Sequence, residues 1–82
     1  GTVRAVVGSA DRTVEIALDS DVDAGALASA AWALTAKGFS TVVLVSIDRI
    51  GEAHEGLRGT PCRLQGWWAT EDAVVFGAFE TP

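Results

Sequence analysis

Two stretches of the chain are apolar without alternation. Thr41-Val42-Val43-Leu44-Val45-Ser46-Ile47 and Asp72-Ala73-Val74-Val75-Phe76-Gly77-Ala78-Phe79 carry almost no polar residue at period-two positions. A strand with one solvated face alternates apolar with polar, so these two segments predict strands buried on both faces. Residues 3–7 and 13–18 predict two more strands. They are joined by Gly8-Ser9-Ala10-Asp11-Arg12, which has hairpin-loop length and turn composition. In the second of them Val14, Ile16 and Leu18 alternate with Thr13, Glu15 and Ala17, which leaves that hairpin a solvated side.

A helix is expected between the hairpin and the first two-sided strand. Asp19-Ser20-Asp21 offers N-cap oxygens, and Asp21 and Asp23 place negative charge at the positive end of the dipole. Alanine-rich sequence then runs to Lys37, and Gly38 is a natural stop. At about 100° per residue Ala24, Leu27, Ala31 and Leu34 share one face. The opposite face holds Gly25, Ser29, Trp32, Ala33 and Ala36, where a solvated helix normally carries Glu, Lys or Arg. A single helix shields one side of a sheet. The other side is expected to meet a second copy, a neighbouring domain or a partner, and the helix back likewise.

Beyond residue 47 a long polar loop is expected over 48–60, with one helical turn at 52–57. Pro61 opens a fourth strand, 62–69, and Thr70-Glu71-Asp72 connects it tightly to a fifth, 73–80. By period two, Cys62, Leu64, Gly66 and Trp68 share one face, and Arg63, Gln65 and Trp67 the other. One of the paired tryptophans is expected in the core beneath the helix and its neighbour on the far face. The fold expected is α+β, in the order ββαβββ: one helix on a mixed or antiparallel sheet of about five strands, spanning residues 1–82 as one compact domain.

That order of elements resembles the ubiquitin-like β-grasp family. The family's protein modifiers end in Gly-Gly. This chain ends Phe79-Glu80-Thr81-Pro82, so the resemblance does not imply conjugation. The strand–helix–strand unit 13–47 also resembles the opening of anti-sigma-antagonist domains, whose later helices have no counterpart here. The last elements look like one module of the vicinal-oxygen-chelate family. That family's metal ligands lie on strands, whereas His54 falls in the expected loop.

Composition narrows the function. Of 82 residues 49% are apolar, rich for so short a chain and consistent with burial by association. Six basic residues against eleven acidic give a net charge of −5. Arg4, Arg12, Lys37, Arg49, Arg58 and Arg63 are scattered among acids, which argues against nucleic acid as a partner. No apolar run reaches the roughly 18 residues of a membrane span. The lone Cys62 excludes an intrachain disulfide and makes the cytoplasm the expected compartment. Absence of Met leads to the expectation of a domain excised from a longer protein. Scarce Lys and absent Asn beside abundant Ala, Gly, Val and Arg point to a GC-rich bacterial source.

Candidate chemistry is thin. Cys62 and His54 form the one conventional nucleophile–base combination, but their spacing predicts no contact. Asp48, Glu52, His54 and Glu55 gather carboxylates and an imidazole in the expected loop. They are the candidates for a small-ligand contact, without the spacing of a metal site. Gly51, Gly56 and Gly59 do not make a phosphate loop. No cofactor is implied. Tryptophan is enriched in interface hot spots. Trp32 on the helix back, and Trp67 with Arg63 and Gln65 on the far sheet face, are therefore the candidate interface residues. The function expected is a non-enzymatic self-association or protein-interaction module of a larger bacterial assembly. The alternative is a small-molecule-binding regulatory domain with its ligand near 48–60.

Overall fold

The computed structural model describes residues 4–8, 12–17 and 24–82, the first of these segments by its backbone alone. The fold is α+β: one sheet and two helices. The strands are β1 (Arg4–Gly8), β2 (Thr13–Ala17), β3 (Ser40–Ser46), β4 (Arg63–Ala69) and β5 (Val74–Glu80). The helices are α1 (Ala24–Ala36), between β2 and β3, and α2 (Ile50–Gly56), between β3 and β4. A 3₁₀ turn, Ile47–Arg49, leads directly into α2.

The sheet runs in chain order from β1 to β5. Its centre is parallel: β2 pairs with β3 and β3 with β4 in the same direction. The flanking pairs, β1–β2 and β4–β5, are antiparallel. Parallel neighbours require a crossover connection, which α1 and α2 provide in turn. Two right-handed crossovers stepping the same way across a sheet lie on the same face. Contacts between α1 and α2 agree with that placement.

The core therefore sits between the helices and one face of the sheet. It contains Val14 and Ile16 of β2, Leu27 and Ala31 of α1, Val43 and Val45 of β3, Ala53 and Leu57 from α2 and its end, and Leu64 of β4. The helical phase of α1 follows the apolar spacing: Leu27 and Ala31 are buried, while Gly25, Ser29, Trp32, Ala33 and Ala36 are exposed. Gly38 ends the helix region with φ +85°, a conformation glycine reaches without strain. The Asp19-Ser20-Asp21 cap and Asp23 lie outside the described residues.

The helical turn expected at 52–57 is the longer helix α2, preceded by a 3₁₀ turn, so the segment 48–60 is not mainly loop and the order ββαβββ becomes ββαβαββ. The cause is visible in Ile47, Ile50, Ala53 and Leu57, which recur at helical spacing. Ala53 and Leu57 are fully in the core, and Ile50 packs against it. Gly66 makes room for this element. A Cβ there would lie 2.9 Å from Ile47 Cδ1 and 3.7 Å from Ile50 Cδ1. With both helices on one face, the β-grasp likeness loses the single-helix order on which it rested.

Candidate functional site

The opposite face of the sheet carries no helix among the described residues. Its side chains follow from the register. Glu15, Val42 and Arg63 form one row across β2, β3 and β4, and Ala17, Leu44 and Gln65 form the next. Phe79 continues the second row on β5. Ser46, Trp67 and Phe76 make a third row, and Ala69 and Val74 a fourth.

The pairing of β4 with β5 shifts register between Gln65 and Trp67. Gln65 pairs with Phe79 and Trp67 with Phe76, so three residues of β5 span a distance that two cover on β4. Strict alternation would send Phe76 and Phe79 to opposite faces. The bulge re-aims one of them and sets both on the uncovered face. Gln65 Nε2 donates to the carbonyl of Gly77 at 3.0 Å, holding the shifted segment. The Arg63 guanidinium lies over the Phe79 ring, 4.4 Å from its centroid.

The outcome is an apolar surface. Val74, Phe76 and Phe79 are 55%, 53% and 52% exposed. Ala17, Leu44, Trp67, Val74 and Phe76 line a shallow groove of about 330 Å³ with almost no polar lining. Val42, in the row between Glu15 and Arg63, is buried. The aliphatic stems of such long charged neighbours can cover apolar surface while their heads stay in water.

The structure brings Arg63, Gln65 and Trp67 together on this face. Trp32 is not with them. It is 58% exposed on the outer side of α1, across the domain from the groove. Trp68 shares the helix-side face with Leu64 but does not enter the core. It is 38% exposed near the end of β4, where its ring lies against Gly77. Phe76, Phe79 and Val74 are the members of the surface that sequence reasoning did not single out. The apolar run 73–79 was visible, but its face assignment depended on the bulge.

The four candidate ligand contacts do not converge. Asp48 lies in the 3₁₀ turn and Glu52, His54 and Glu55 on α2. Glu52 is paired with Arg49 at 3.2 Å. His54 Nε2 lies 3.0 Å from Glu80 Oε1, tying α2 to the end of β5. Glu55 is exposed. Among the described residues no cluster of three or more His, Cys, Asp or Glu is placed to hold a metal ion. Cys62 is buried, and that burial raises its thiol pKa, the reverse of what a nucleophile needs. It lines a second hollow of about 260 Å³ with Thr35, Phe39, Thr41 and Pro61. The Thr41 hydroxyl there is buried without a hydrogen-bond partner among the described residues.

The chain matches no protein-family model, and no curated protein or solved structure is significantly similar to it. No helix among the described residues is long and apolar enough to cross a membrane.

Proposed function

We propose that this domain is a non-enzymatic association module that works through its helix-free sheet face. One observation carries the reading: Val74 and Phe76 stand half exposed beside Trp67 and Leu44 in one apolar groove, with the half-exposed Phe79 on the same face. Isolated surface hydrophobics are ordinary, but a contiguous patch marks a contact site. An aromatic side chain can remove about 150–250 Å² from water. Covering the exposed half of one such ring is worth about 2–3 kcal/mol at about 25 cal/mol/Å², before ordering costs.

The residues once placed in a ligand loop favour this reading over small-molecule binding. Glu52 and His54 are engaged by Arg49 and Glu80, and their backbone belongs to a helix packed on the core. Placement as one piece of a larger bacterial assembly belongs to the same proposal and rests on composition. The test is a polar substitution in the groove. Phe76→Glu should abolish association and, at concentrations below association, binding of the apolar dye anilinonaphthalene sulfonate, with the far-ultraviolet circular dichroism unchanged. Equal association and dye binding in the variant would remove the face as the contact site.

A further inference from the structure

We infer that the occupant of the uncovered face is a second copy of this chain, related by a two-fold axis parallel to β3. The inference rests on the reading of this face as an association surface and goes on to specify its partner and geometry. Two features of the face carry it, one of charge and one of extent.

The charges are Glu15 and Arg63. They stand in one row, on the strands either side of β3, with Val42 between them. Both are exposed. Among the described residues Glu15 makes no ion pair. Arg63 makes none either, and its guanidinium rests on the Phe79 ring. A two-fold axis along β3 lays β2 of one copy over β4 of the other. Glu15 of each copy then meets Arg63 of its mate, twice per dimer. An isologous contact requires such self-complementarity. A two-fold across the strands would instead lay β2 on β2 and β4 on β4, and Glu15 would never meet Arg63.

The extent of the face agrees. The same axis sets Ala17 of one copy over Gln65 of the other, with Leu44 near the axis. Sheets packed face to face in this way keep strand directions within about 30° and lie about 10 Å apart. Five strands at about 4.8 Å, each of five to seven residues at about 3.3 Å, present a plane of roughly 500 Å². Side-chain relief brings the buried surface toward the roughly 800 Å² per partner of a stable specific interface.

The test uses Glu15→Arg and Arg63→Glu, made separately and then mixed. Alone, each variant places like charges opposite each other twice and should dimerise at least tenfold more weakly than wild type. Mixed in equal amounts they should form a heterodimer. In it the new arginine at position 15 faces the new glutamate at position 63, and the native pair is kept on the other side. Native mass spectrometry and sedimentation velocity read this directly. Recovery of dimer on mixing, absent from either variant alone, is the expected result. Dimers unaffected by either reversal, yet abolished by Phe76→Glu, would overturn the two-fold and leave the face as the contact site. Dimers that survive Phe76→Glu would overturn both. A wild-type monomer up to about 100 µM, a limit that corresponds to roughly −5 kcal/mol, would overturn the second copy as occupant.

Discussion

The Arg63 guanidinium lies 4.4 Å from the centroid of the Phe79 ring, on a strand whose register has slipped by one residue to bring the ring there. The contact couples a charge to the apolar surface it borders. Cation–π pairs at exposed sites contribute about 0.5–1 kcal/mol. A double-mutant cycle of Arg63→Ala and Phe79→Leu, followed by urea unfolding, should give a coupling in that range. Strictly additive effects would show that the stacking contributes nothing in solution.

Leu57 follows the helix α2 and is fully buried in the core. Leu57→Ala should cost about 2–5 kcal/mol, as deletions of buried leucine do. Glu52→Ala removes an ion pair with an exposed carboxylate and should change stability by less than about 0.5 kcal/mol. Similar effects for the two substitutions, measured by chemical denaturation, would mean that α2 does not pack as described.

Gly66 lies under the tip of Ile47, where an added Cβ would come within 2.9 Å of Cδ1. That atom is the end of a flexible, half-exposed side chain, so the strain has an outlet. Gly66→Ala should cost about 1 kcal/mol, at the low end of overpacking effects. Adding Ile47→Val should restore most of it. A loss that the second substitution does not relieve would place the clash in the backbone.

Burial raises the Cys62 thiol pKa above its ordinary value of 9.0. The native protein should react with iodoacetamide at pH 8 at least tenfold more slowly than the urea-unfolded chain, since the thiolate is the reactive species. The raised pKa also sets a sign for stability. This contribution is fully present below pH 9.0 and declines as pH rises through the folded-state pKa, because the unfolded thiol loses its proton first. Cys62→Ala should lessen the loss of stability above pH 9. Native alkylation as fast as that of the unfolded chain would contradict the buried placement.

The sequence made the α+β class and the phase of α1 legible. Leu27 and Ala31 recur at helical spacing on one face, and nothing charged interrupts them. The alternation of Leu64 and Gly66 with Arg63, Gln65 and Trp67 was equally plain, because a polar Arg and Gln mark one side of β4. α2 was obscured. Its Gly51, Gly56 and three polar residues read as a loop with a single turn at 52–57, while the signal for the full helix lay in the longer spacing of Ile47, Ile50, Ala53 and Leu57. The shared face of Phe76 and Phe79 was not legible from β5 alone, since it depends on how β5 registers against Gln65 and Trp67. Trp68 also escaped, because its burial depends on how far the helices reach along β4, a tertiary property.

Sedimentation equilibrium of the wild type beside Phe76→Glu tests the central claim most directly. The uncovered sheet face predicts a wild type whose mean mass passes about 1.5 times the monomer mass near 10 µM and rises toward twice that mass above it, an affinity near −7 kcal/mol. The same face predicts a variant that stays at the monomer mass while unfolding at the wild-type denaturant midpoint when both are measured well below the dimerisation range. A wild type at the monomer mass throughout, or a variant that associates as strongly as the wild type, would contradict it.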